Sequence, residues 1–112
     1  METITSNVFE SHNPVDASVI ASYPNTSAAQ VHEAVDRARA ANLAWQALGF
    51  RGRRKVLLQW AAQITKEVDE IAEIVRAETG KPISDATLEA TLALGHLAWA
   101  AKHAESVLAK QH

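Results

Sequence analysis

Five histidines, a run of basic residues and scattered carboxylates are the side chains that could do chemistry in this sequence. The histidines are His12, His32, His96, His103 and His112. Glu89, His96 and His103 recur every seventh residue, so on a helix they share one stripe. A metal needs donors that meet at one point, and residues two turns apart on a helix stand about 10 Å apart along its axis. The Glu-x-x-His pair that di-metal bundles use does not occur. The stripe therefore reads as polar surface, not as a metal site. Serine with histidine could serve nucleophilic catalysis, but no Gly-x-Ser-x-Gly elbow is present, and Ser27 and Ser84 stand where helix caps are expected. There is no cysteine, hence no thiol nucleophile, no disulfide and no Cys-type zinc site. Gly49, Gly52, Gly80 and Gly95 form neither Gly-x-Gly-x-x-Gly nor a P-loop, and Gly80-Lys81 reads as a helix end. No catalytic, cofactor-binding or metal-ligating residue is assigned on these grounds.

The positioning elements follow from periodicity and breakers. Val8-Phe9 and Val19 to Tyr23 read as short strands around the turn Asn13-Pro14-Val15-Asp16-Ala17-Ser18, giving a hairpin over about residues 8–24. Ser27-Ala28-Ala29-Gln30 is a capping box. It opens a helix over about 28–47, with Val31, Ala34, Val35, Ala38, Ala41, Trp45 and Leu48 on one stripe. A second helical stretch spans about 53–79, with Val56, Leu57, Trp60, Ala61 and Ile64 as its buried stripe and a break foreseen near Glu67–Asp69. Gly80 is suited to a positive-φ C-cap, Pro82 to the opening of the next helix and Ser84 to its N-cap. Arg51, Arg53, Arg54 and Lys55 crowd positive charge at a helix start, against the macrodipole. Either the helix begins later than Arg51 or these residues bind something, and a solvated basic turn is the simpler reading.

The last helix, about 84–109, is apolar on nearly every side: Leu88, Leu92, Leu94, Leu97 and Trp99 spread most of the way round its axis. Such a helix calls for cover on nearly every side, and two helices with one hairpin cannot supply it. Gly95 costs about 1 kcal/mol in a helix interior and points to close approach of another backbone. Trp45, Trp60 and Trp99 lie on apolar stripes and read as core anchors, with Trp60 between the first and last helices.

At 112 residues the chain is one domain's worth, and 47% hydrophobic with 21% charged residues is a globular balance. A net charge of −2 suggests neither a nucleic-acid nor an anionic-membrane partner. Residues 1–7 read as a loose polar start without the features of a secretory signal, and the apolar run Ala86 to Ala101 is interrupted by Thr87, Glu89, Thr91 and His96. A cytoplasmic protein is the default expectation. The expected fold class is mainly α: a short N-terminal β-hairpin followed by three to four antiparallel helices.

Glu78-Thr79-Gly80-Lys81-Pro82 resembles a signature near the N-terminus of the NAD(P)-dependent aldehyde dehydrogenase superfamily. Asn13-Pro14, the strand from Ile20 to Pro24, Ala38-Arg39 before Trp45, the block Arg54 to Leu58, Ala86 and Glu89 match in the same order. The family's turn glycine falls on Ala17, a departure that strains the chain by about 1 kcal/mol if that position needs positive φ. The resemblance implies that residues 1–112 are the N-terminal segment of a cofactor-binding domain, part of a larger α/β fold in proteins several-fold longer. In complete relatives a cysteine thiolate attacks an aldehyde, hydride passes to NAD or NADP, and a glutamate-activated water releases the acid. The cysteine, the glutamate, the oxyanion-hole asparagine and the cofactor-contacting lysine of the family all lie downstream of this stretch, so no family role is carried onto a residue here. The implied reading is a truncated N-terminal part of an aldehyde dehydrogenase-like oxidoreductase, as gene remnant, split subunit or expressed fragment. It is expected to bind no cofactor and perform no catalysis alone, and to partner the remainder of the fold. The alternative is a helical protein-interaction module that self-associates through its last helix.

Overall fold

A computed structural model describes residues 7–109; all but Asn7 of the polar start expected over residues 1–7, as well as His112, lies outside the described residues. Two strands come first, β1 (Val8–His12) and β2 (Val19–Pro24), paired antiparallel with a register irregularity between Ser11 and His12. Phe9 and Tyr23 face each other across the pair with ring centroids 5.4 Å apart. The connecting turn is closed by side chains: the Asn13 carboxamide oxygen accepts from the Val15 N–H at 2.9 Å, and the Asp16 carboxylate accepts from the Ser18 N–H at 2.9 Å. Ala17 takes φ 61°. It is thus a non-glycine residue in the left-handed region, at the position where the family pattern has glycine.

Four helices follow: α1 (Ala28–Ala47), α2 (Gly49–Lys66), α3 (Val68–Thr79) and α4 (Ile83–Leu108). The fold is mainly helical with a short leading hairpin, as the sequence patterns indicate. α1 opens on the capping box: Ser27 Oγ accepts from the Gln30 N–H at 3.2 Å, and the Gln30 side chain accepts from the Ser27 N–H at 2.8 Å. The stretch 53–79 is two helices, divided at Glu67, whose φ of −106° and ψ of 9° leave helical geometry. α2 begins at Gly49, so Arg51, Arg53, Arg54 and Lys55 lie inside its first turns and not ahead of it. Gly80, at φ 73°, caps α3 and donates its N–H to the Arg76 carbonyl at 2.9 Å. The N-cap of α4 is Pro82, with no side-chain cap, and Ser84 lies within the helix. The expected Ser84 cap is therefore corrected: proline's fixed φ already sets the entry, two residues earlier.

The core is a seam of small residues. Ala61 of α2, Ala72 of α3, and Ala86, Ala90 and Ala101 of α4 are the buried hydrophobic residues, and no large side chain is fully buried among the described residues. Alanine at the contact lets helix axes approach closely. α4 packs against both α2 and α3, whereas α1 touches α2 only near their junction and buries none of its residues. The stripe expected to bury α1 is therefore open, with Val31, Val35 and Leu48 exposed. Trp60 is 57% exposed, not in the core. It stands about 100° around the helix from Ala61, the residue that faces α4, and α1 does not fold back to cover it. Trp99 is 57% exposed as well. The radius of gyration, 19.2 Å, exceeds the roughly 13 Å of a compact chain this long because α1 projects from the body.

Candidate functional site

The segment Glu78 to Pro82 is where hairpin, α3 and α4 meet. Thr79 Oγ1 donates to the Val75 carbonyl at 2.6 Å, tightening the last turn of α3 before Gly80 reverses the chain. A Cβ added at Gly80 would stand 3.2 Å from Val15 Cγ2 and 3.3 Å from Pro14 Cγ. Glycine is thus required twice here, for its φ and for the seat it leaves the hairpin turn. Ser11 Oγ donates to Glu78 Oε1 at 2.9 Å, a second latch between the same two elements. Lys81 Nζ pairs with Glu89 Oε1 across the entry of α4.

A hollow of about 230 Å³ opens beside this junction, lined by Asn13, Val15, Asp16, Arg76, Ala77, Gly80 and Lys81. Its cations are engaged: Arg76 binds Glu73 through Nε and Nη2, both at 2.8 Å, and Lys81 holds Glu89. Hydrogen bonds from the Ser18 hydroxyl, at 2.6 Å, and the Ser18 N–H hold the Asp16 carboxyl below its ordinary value. The junction joins elements, and its two cations are already paired with carboxylates.

The described histidines stay apart. His12 Nδ1 lies 3.1 Å from the Ala17 carbonyl and its Nε2 3.2 Å from Glu10. His103 lies 2.8 Å from the Trp99 carbonyl through Nδ1 and stacks on the Trp99 ring at 4.8 Å. Of the recurring stripe, Glu89 belongs to Lys81 instead. No group of three metal-binding side chains converges among the described residues. In the basic run, Arg53 donates to the Gly49 carbonyl at 3.1 Å and lies 4.7 Å over the Phe50 ring. These residues border a cleft of about 150 Å³ between the start of α2 and the end of α4, lined by Trp45, Phe50, Arg53, Arg54, Leu57, Ala101, Ala104 and Leu108.

The outer face of α4 is apolar. Leu88 is 56%, Leu92 54% and Trp99 57% exposed, while Ala86, Ala90 and Ala101 on the opposite side of α4 are buried. α4 is therefore two-faced in position though apolar on both faces, and the expectation that these elements cannot cover it agrees with that exposure. A Cβ at Gly95 would meet nothing within 4 Å, so the close backbone approach expected there is not made within the described residues. Periodicity found this helix's double face. The latch between Ser11 and Glu78 had no signal in the sequence, because 67 positions separate the partners.

No helix among the described residues is long and apolar enough to cross a membrane. The profile of the Aldehyde dehydrogenase family matches residues 2–112. A probable succinate-semialdehyde dehydrogenase, NADP(+) type, of Sinorhizobium fredii is 35% identical over 88% of this chain and 20% of its own length. An N-succinylglutamate 5-semialdehyde dehydrogenase of Chromobacterium violaceum is 39% identical over 76% of this chain and 18% of its own. A glutarate-semialdehyde dehydrogenase of Pseudomonas aeruginosa is 30% identical over 86% and 20%. No solved structure matches the chain. The chain spans about a fifth of the length of these curated relatives. On the profile match and these likenesses together, the chain belongs to the aldehyde dehydrogenase family and corresponds to its N-terminal segment.

Proposed function

We infer that this chain serves as the N-terminal helical part of the cofactor-binding domain of an NAD(P)-dependent aldehyde dehydrogenase. In this reading the chemistry on the aldehyde is done by residues outside it. One observation carries the reading: a chain that belongs to the family, spans about a fifth of its relatives' length and has no cysteine. The named relatives act on semialdehydes of succinate, N-succinylglutamate and glutarate. These share an aldehyde with a carboxylate elsewhere in the molecule, which is the proposed substrate class.

The residues here do not themselves fit a dinucleotide. The described residues form one two-stranded antiparallel sheet, and the sequence has no glycine-rich turn between a strand and a helix. The chain's part is positional: Gly80 and the Ser11–Glu78 bond fix the hairpin against the helices, and α4 presents a second apolar face to what adjoins it. A cytoplasmic setting and partnership with the remainder of the fold belong to the same proposal.

The test is turnover. The purified chain, given NAD or NADP and succinate semialdehyde, forms no NAD(P)H above background. The chain joined to the remaining portion of the Sinorhizobium relative forms it. Turnover by the chain alone, tracking the protein peak through repurification, overturns the reading. The exposed Leu88, Leu92 and Trp99 also favour a second reading, a module that self-associates through α4; a concentration-dependent dimer together with an inactive joined protein would select it.

A further inference from the structure

We propose that the outer stripe of α4, formed by Leu88, Leu92, Gly95 and Trp99, is the seat of a helix from the part of the aldehyde dehydrogenase fold that lies outside these residues, with Gly95 as the point of closest approach. The proposal rests on the family reading above and adds which surface is used and how. At 3.6 residues per turn these four positions fall within about 60° of one another, one apolar stripe along the helix. The opposite line, with Ala86, Ala90 and Ala101, is already filled by α2 and α3.

Gly95 distinguishes this stripe from an ordinary exposed face. A glycine inside a 26-residue helix is unfavourable relative to alanine, and here it has no local use. It caps nothing, and the space a Cβ would fill is empty to 4 Å. Within these residues the glycine is a cost without a return. Flanked by Leu92 and Trp99, it makes a notch between two large apolar ridges, and such a notch admits the ridge of a crossing helix at short axial distance. The occupant is assigned to the rest of the fold because about four-fifths of each named relative lies outside the matched stretch. An exposed apolar stripe of this kind suits an apolar helix face better than a polar or charged ligand.

The experiment compares two proteins: the chain alone, and the chain joined to the remaining portion of the Sinorhizobium relative. Each is made with Gly95 and with Gly95→Leu. In the chain alone the substitution fills open space and improves helix propensity, so the melting temperature rises by about 4 °C. In the joined protein the same leucine blocks the seat, and the melting temperature falls by several degrees. Hydrogen exchange of the peptide spanning Leu88 to Trp99 slows at least tenfold on joining, and Gly95→Leu reverses it. If Gly95→Leu raises the melting temperature of both proteins, or the peptide exchanges equally fast in both, the proposal is overturned. Sedimentation of the chain alone as a dimer that Gly95→Leu dissociates also overturns it, by naming a second copy as occupant. If the joined protein does not fold, the two parts are mixed and sedimented, and absence of a complex counts against the seat. Dehydrogenase turnover is read separately: an active joined protein indifferent to Gly95→Leu removes this interface assignment and leaves the family function standing.

Discussion

Ala17 concentrates the local strain of this chain in one residue. Its φ of 61° is set from both sides, by its N–H donating to the Asn13 carbonyl at 2.8 Å and by the bonds that Asn13 and Asp16 make across the turn. A β-carbon in that region costs roughly 1–2 kcal/mol, part of which glycine returns as unfolded-state entropy. Ala17→Gly is therefore expected to stabilise the chain by about 0.5–1 kcal/mol, read as a rise in the thermal midpoint. Asp16 adds a pH dependence with a definite sign. Its carboxyl is held below the ordinary value by the Ser18 hydroxyl and N–H. The contribution is present above the unfolded group's ordinary 3.8 and is lost as pH falls through the lower folded value. Ser18→Ala, which removes the hydroxyl bond, should lower stability at neutral pH and leave it little changed in acid, flattening the acid limb of the stability profile.

At the scale of elements, one glycine and one cap decide the layout. Gly80 ends α3 and seats Pro14 and Val15. Gly80→Ala meets both the positive φ and contacts of 3.2 and 3.3 Å, so a loss of about 1–2 kcal/mol is expected, with release of the hairpin seen as faster exchange in β1 and β2. α1 buries no residue, so its capping box carries an unusual share of its order. Ser27→Ala is expected to cost about 1 kcal/mol and to appear as lost helical circular dichroism. Trp60 illustrates the opposite case. A buried tryptophan truncated to alanine costs about 3–5 kcal/mol. At 57% exposure, Trp60→Ala should cost the isolated chain under about 1 kcal/mol. A large drop in the thermal midpoint would mean that α1 closes over α2 in solution.

At the scale of the whole molecule, small residues make the core and large ones remain outside. Fully burying a leucine-sized side chain contributes about 1.5–3 kcal/mol, and Leu88, Leu92 and Trp99 forgo much of that here. The isolated chain is expected to bind an apolar-surface dye strongly, and joining it to the rest of a relative's fold should abolish the binding. A single monomeric species with no dye binding would show that its apolar faces are closed in solution.

Local rules were enough for much of this molecule. The capping box at Ser27, the stop at Gly80 and the strands around Asn13-Pro14 are each decided by residues within a turn of one another, so the sequence alone specified them. The strain at Ala17 was also legible, because a family pattern with glycine marks a φ that alanine must then adopt. Facing was not. The apolar stripe of α2 contains both Ala61 and Trp60, and only the packing of α4 chose the alanine side. Nor did periodicity place Ser11 against Glu78, since hydrogen bonds across 67 positions depend on where Gly80 turns the chain. Hydrophobic pattern states which residues need burial. Which of them obtain it depends on the surfaces present, and α1 and the outer stripe of α4 meet none among the residues described.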